Sequence, residues 1–145
     1  MAATRTYLVP VDFSESAERA LAYAMGIAKE NRANLLLVHV VDESSSGVPL
    51  QLREAYLKSL QKEAKIQMNK LVNKFKLPQK KFRTRFLSAL DAPRAIADQA
   101  KRSRVSMIIM GSHGRTGIPR FILGSVAEQT LRHASCPVLI VKGSG

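Results

Sequence analysis

The chain of 145 residues has one cysteine, Cys136, and no tryptophan. A single cysteine cannot close an intrachain disulfide, so packing must hold the fold, and a reducing cytoplasm suits such a chain. No apolar run approaches the roughly 20 residues that a helix needs to cross a bilayer. The opening stretch, MAATRTYLVPVDF, holds an apolar patch too short for a signal-peptide core. Cys and His nowhere fall at zinc-ligand spacing. The G-x-S-x-G elbow of serine hydrolases is missing. Acid is scarce too: 11 Asp and Glu stand against 23 Lys and Arg, a formal charge of +12. That shortage is local. Residues 1–63 carry 7 basic and 8 acidic residues, whereas residues 64–145 carry 16 and 3. A surface of this sign draws phosphate, in a nucleotide or in a nucleic acid, without choosing between them. Phe75, Phe82 and Phe86 lie within or beside the basic run from Lys74 to Arg85. Their helical and strand spacing puts them on inner faces, so core packing explains them better than base stacking.

Against these absences stands a regular alternation of apolar patterns. Thr6–Val11 reads as a strand. Ser14 or Ser16 can cap a helix over 15–31, with Glu15 and Glu18 in its first turn and Ala17, Ala20, Leu21, Ala24 and Ala28 at helical spacing. Leu35–Val41 is a second strand, followed by a polar loop over 42–49. Leu57, Leu60, Ala64, Met68, Leu71 and Phe75 predict a long second helix that stops at Lys76-Leu77-Pro78. Phe82–Ser88 is a third strand, Asp91 and Pro93 open a third helix, and residues 105–110 form a fourth strand. Ser125 opens a fourth helix, to about His133, and Pro137–Val141 is a fifth strand. Strands alternating with helices predict one α/β domain over residues 1–145, a parallel sheet covered on both faces. Open sheets of this type take ligands beyond the carboxyl ends of their strands, where strand order reverses.

Glycine is sparse as well. Of eight in the chain, four fall in GSHGRTGIPRFILGS, Gly111–Ser125, just past the fourth strand. Two readings compete: a flexible loop, or a backbone that approaches a ligand where any β-carbon would interfere. The stretch lacks the lysine of a Walker A loop, and its glycine spacing is not that of a dinucleotide fingerprint. Ser125 and Glu128 have capping-box spacing. A helix start preceded by glycine is also a ready anion site, through its free N–H groups and dipole.

Gly111-x2-Gly114-x9-Gly124-Ser125 resembles the nucleotide-binding signature of the universal stress protein family. Pro10-Val11-Asp12-Phe13-Ser14 resembles that family's first strand end, and His39-Val40-Val41 its second. Met110-Gly111-Ser112-His113-Gly114-Arg115 resembles its loop, and Ser135-Cys136-Pro137-Val138-Leu139-Ile140-Val141 its closing strand. The resemblance implies a Rossmann-like open five-stranded sheet of order 3-2-1-4-5, and the ATP-binding branch of the family. It implies Asp12 at the ribose hydroxyls and Val40 at the adenine edge through its backbone. Gly111 and Gly114 would let the loop pass close to the phosphates. Gly124, Ser125 and Val126 would offer N–H groups to the terminal phosphates, and Arg115 and His113 would stand near them. Pro10 and Met110, at the two strand ends, belong to the same nucleotide-binding set. Thr116–Leu123, with Arg120, is expected to form an ordered flap, and Gly117 and Pro119 receive no role. It further implies a homodimer through the Pro137–Val141 strand.

Each assignment has a plainer reading beside it. Asp12 could form an Asx turn before the first helix, Ser125 could simply cap its helix, and Val40 and His39 could be core. Ser125, His113 and Asp12 have no spacing that demands a catalytic triad. No catalytic residue and no metal ligand of the chain is assigned, and Mg²⁺ or Mn²⁺ would arrive on the nucleotide's own phosphates. The reading is an ATP-binding stress-response module with slow or no hydrolysis. The alternatives are a basic nucleic-acid-binding protein and a homodimeric scaffold that does not use nucleotide.

Overall fold

The computed structural model describes residues 4–44, 47–113 and 123–143. Five strands alternate with four α-helices: β1 (Thr6–Pro10), α1 (Glu15–Asn31), β2 (Asn34–Asp42), α2 (Arg53–Phe75), β3 (Phe82–Ala89), α3 (Ala92–Arg102), β4 (Met107–Gly111), α4 (Ser125–His133) and β5 (Val138–Val141). Short 3-10 turns at Leu50–Leu52 and Gln79–Lys81 lead into α2 and β3. The sheet order is β3-β2-β1-β4-β5, with every pairing parallel.

Period-two side-chain alternation divides each inner strand between two cores. Tyr7, Val9, Leu35, Leu37 and Ile109 face Leu21, Ala24 and Ala28 of α1 and Met68 and Leu71 of α2. Leu8, Leu36, Val38, Ile108 and Met110 face Ile96 and Ala100 of α3 and Ala127 of α4. The inner strands are therefore apolar through their central residues, Tyr7–Val9, Leu35–Val38 and Met107–Met110, the pattern of a sheet covered on both sides. Phe75, Phe82 and Phe86 pack against the first core, as the spacing predicts.

Several boundaries differ from the sequence reading. Ser14, not Ser16, caps α1, and its side chain accepts from Ala17 N–H. Ser16 is buried against β4 instead. The fourth strand begins at Met107, since Val105 N–H is still taken by Ala100 C=O at the end of α3. Helix α2 starts at Arg53, four residues before Leu57, where the predicted apolar repeat begins. The capping box is not formed. Gly124 is the N-cap of α4, without a side-chain cap, and Ser125 is the first helical residue. Ser125 Oγ accepts from Gln129 Nε2 at 2.9 Å, and Glu128 pairs with Arg132.

Candidate functional site

Strand order reverses between β1 and β4. Helix α1 leaves β1 toward one face, and α3 reaches β4 across the other. The carboxyl ends of β1, β2 and β4 consequently surround a cavity of about 130 Å³. Pro10, Asp12, Val40, Met110, Gly111, His113, Gly124 and Val126 line it, so most of the expected site converges there from four separate elements. Ser125 lies between two lining residues. Gly114 and Arg115, with the span Thr116–Ile122 that includes Gly117, Pro119 and Arg120, fall outside the described residues. Leu123, the described end of the expected flap, is packed against the α3–α4 core.

The turn after β1 is held from several directions. Asp12 Oδ1 accepts from Ser14 N–H at 3.0 Å and also from the Ser14 hydroxyl. This is an Asx turn, and through Ser14 it sets the start of α1. It fixes the orientation of the Asp12 carboxylate on the cavity wall. Phe13 takes the left-handed conformation, φ 66°, unusual without glycine. His39 Nδ1 lies 2.7 Å from Val11 C=O, and its ring stacks on Phe13 with centroids 4.8 Å apart. His39 is thus a tethered wall residue. Val40 places its side chain against the α3–α4 core, leaving its backbone at the cavity.

On the other side, Gly111 has a different role from the one its motif suggests. A β-carbon there would meet the Ser16 hydroxyl and lie 2.7 Å from Ser16 C=O. The space that Gly111 leaves is therefore filled by the first turn of α1. Ser16 Oγ in turn accepts from His113 N–H at 3.2 Å, and His113 Nδ1 lies 2.9 Å from Ser112 Oγ. Gly124 also allows a close approach: its N–H donates to Ser112 C=O at 2.7 Å, and a β-carbon would lie 2.8 Å from that oxygen. The Gly124 N–H is consequently engaged within the protein. The donors left for an anion begin with Ser125 and Val126, in a first helical turn whose N–H groups have no intrahelical partner.

A second, larger hollow of about 580 Å³ shares Asp12, His39 and Val40 with the first and runs over the end of β2 to Tyr56, Leu60 and Gln67 of α2. The sequence reading did not include α2 in the site. Its only hint was the polar Asp42–Pro49 loop between β2 and α2. At that edge, hydrogen bonds from the Ser44 hydroxyl and then the Ser44 N–H hold the Asp42 carboxyl below its ordinary range. Ser16, Ser112 and Phe13 were missed as site-building residues. A serine just after a helix start carries no distinctive pattern until the strand it touches is known.

The model of the Universal stress protein family matches residues 4–142. The chain belongs to the universal stress protein family. Within it, the chain is 34% identical to universal stress protein MJ0531 of Methanocaldococcus jannaschii over 140 residues, 93% of this chain and 80% of that one. It is 31% identical to universal stress protein MJ0577 of the same organism over 150 residues, 93% of each. The solved structure of MJ0577 superposes with a TM-score of 0.83, covering 99% of both chains at 29% identity. The universal stress protein from Archaeoglobus fulgidus in complex with dAMP shares the fold at a TM-score of 0.67 and 23% identity, covering 98% of this chain and 100% of that one. The family accounts for the sheet order and for the placement of the glycine stretch after β4.

Proposed function

We propose that this chain binds an adenine nucleotide, ATP foremost, at the carboxyl end of its sheet, and acts as a nucleotide-binding stress-response module with slow or no hydrolysis. The observation that carries the reading is convergence. Asp12, Val40, Met110, His113 and the start of α4 come from distant parts of the chain and line one cavity. Their chemistry matches the parts of a nucleotide. A carboxylate held by its own turn can accept from two ribose hydroxyls. Strand-end backbone at Val40 can pair with an adenine edge. The N–H groups of Ser125 and Val126, at the positive end of α4, suit phosphate. Gly111 supports this site by letting α1 pack on β4, and the family resemblance assigns Gly114 and Arg115, which lie outside the described residues, to the phosphate side. Mg²⁺ or Mn²⁺ is held through the phosphates, as hard cations prefer oxygen. The relative solved with dAMP supports an adenine ligand. Hydrolysis is slow or absent in this reading, since the glycine stretch lacks a Walker A lysine and no residue is assigned as a base to activate water.

The same reading takes residues 1–145 as one domain that works in the cytoplasm. Pairing of the edge strand β5 with its copy gives a two-fold dimer, which removes an exposed strand edge. The nucleic-acid alternative has the charge, but the three phenylalanines at its basic run, Phe75, Phe82 and Phe86, are spent on the core rather than offered for stacking.

Ser125→Pro tests the phosphate donors. Proline is well accepted at the first helical position, and Gly124, at φ −61° and ψ 154°, already has the backbone that a residue before proline adopts. The variant removes the Ser125 N–H, and the hydroxyl with it, while keeping a backbone suited to the helix start. Calorimetric titration of nucleotide-free protein with Mg²⁺ is expected to give micromolar ATP affinity, weaker GTP affinity, and at least about tenfold weaker ATP binding in Ser125→Pro, from the loss of the N–H donor and the hydroxyl. Absence of ATP binding by the unaltered chain would reject the reading.

A further inference from the structure

At the end of the sheet opposite the nucleotide cavity, α1 and α2 finish and β2 and β3 begin. A separate cavity of about 430 Å³ lies there, within the range of roughly 300–1,000 Å³ common to small-molecule pockets. Its floor is apolar. Ala28, Ala33, Leu35 and Leu77 are buried there and belong to the first core. Its rim is cationic, formed by Lys29, Arg32, Lys76 and Lys81, and no acidic residue lines it. None of these four makes an ion pair among the described residues. The pairs found there use Arg19, Lys58, Lys74, Arg94 and Arg132.

Helix-end electrostatics accounts for part of this rim. Lys29 lies in the last turn of α1, where a cation suits the carbonyl end of the dipole. Arg32 and Lys76 are different. Each is the C-cap of its helix and each is left-handed at φ 53°, a conformation that glycine adopts without the cost of a β-carbon. Capping itself is done by their backbone N–H groups, Arg32 to Ala28 and Lys29, and Lys76 to Asn73 and Val72. Glycine would make the same hydrogen bonds with less strain. The two helices thus end without help from these side chains, yet both residues line one cavity.

We propose that this cavity binds an amphipathic carboxylate, with an apolar body such as a medium-length acyl chain on the floor and the anionic group among Arg32, Lys76 and Lys81. A neutral apolar ligand would leave the cationic rim uncompensated, and a bare polyanion would leave the floor uncovered. A bilayer surface fits less well, since none of the large exposed apolar side chains lines the cavity. The site shares no residue with the nucleotide cavity, so it stands independently of the ATP reading.

The test is an NMR titration of the intact chain with decanoate, using decanol and decyltrimethylammonium as controls of the same chain length. Decanoate is expected to shift the amides of Ala28, Ala33 and Leu77, decanol to do so more weakly, and the cation not at all. The double variant Arg32→Gly/Lys76→Gly removes two cations while favouring the native backbone. Its melting temperature should hold or rise, and its decanoate affinity should fall about tenfold. If that variant melts early, Lys29→Gln/Lys81→Gln, at residues of ordinary backbone geometry, reads out the same loss. Silence of those amides, equal binding of decyltrimethylammonium, or full decanoate affinity in a folded variant lacking two rim cations overturns the proposal.

Discussion

Ser16 occupies the space beside Gly111, and that contact gives the two glycines at Gly111 and Gly26 opposite expectations. Gly111→Ala puts a β-carbon 2.7 Å from the Ser16 carbonyl oxygen, backbone that cannot rotate away. Overpacking of this kind costs about 1–3 kcal/mol, and α1 must lift from β4 to relieve it. Thermal unfolding should show a fall in melting temperature of several degrees, together with loss of nucleotide affinity through the displaced His113 loop. Gly26 lies inside α1 with nothing within 4 Å of its would-be β-carbon. Gly26→Ala should therefore stabilise by about 0.5–1 kcal/mol, the helix-propensity difference. A Gly111→Ala variant as stable as the parent would show that α1 and β4 are less closely seated than described. Neither expectation follows from the sequence, where Gly111 belongs to the glycine stretch and nothing shows that Ser16 fills the space beside it.

At the scale of the element, α1 joins stability to the site. Its N-cap Ser14 accepts from Ala17 N–H and also donates to Asp12. Ser14→Ala removes a cap worth about 1 kcal/mol, and with it one of the bonds that orient the Asp12 carboxylate. Denaturant unfolding should record the stability loss, and nucleotide titration should record a weaker affinity of the remaining folded protein. Retained affinity with lost stability would separate the helix cap from the ribose contact. Helix α4 behaves differently. Its capping-box letters, Ser125 and Glu128, form no box because Gly124 is drawn to the Ser112 carbonyl and takes the N-cap position itself. That choice leaves Ser125 N–H directed by the helix alone, which makes it a candidate phosphate donor.

Over the whole molecule, the parallel topology aligns all four helices. Glu15, Glu18, Glu54 and Glu128 stand in first turns, and Lys29, Lys74, Lys101, Arg102 and Arg132 in last turns. Each placement suits its own helix dipole. Aligned, they shift acid toward the nucleotide end and base toward the opposite end, where the second cavity lies. A formal charge of +12 on 145 residues also repels itself. The ion pairs are mostly exposed and contribute little. Raising salt from about 20 mM to about 200 mM shortens the Debye length to well under the molecular diameter. The melting temperature should then rise by about 3 °C, on the order of 1 kcal/mol at this chain length. A fall instead would mean that the attractive pairs outweigh the net repulsion.

The chain itself determined the alternation of elements, because a strand buried on both faces must be apolar throughout and a helix on a sheet must repeat its apolar residues every three or four. Phe82 and Phe86 were legible as core because period-two alternation puts both on one face of their strand, and the cavity's position at the carboxyl ends followed from the βα order. The glycine stretch pointed to the same end of the sheet, and Asp12, Val40 and Val126 do meet there. Only the tertiary structure decided what each residue does on arrival. Gly111 serves a helix contact with Ser16, ninety-five positions earlier in the chain, and Gly124 N–H is taken by Ser112. The cationic rim of the second cavity joins the ends of two helices that are far apart in sequence. Local patterns encode local periodicity. Contacts between distant segments depend on how strands order themselves in the sheet, and that is settled only when both cores pack at once.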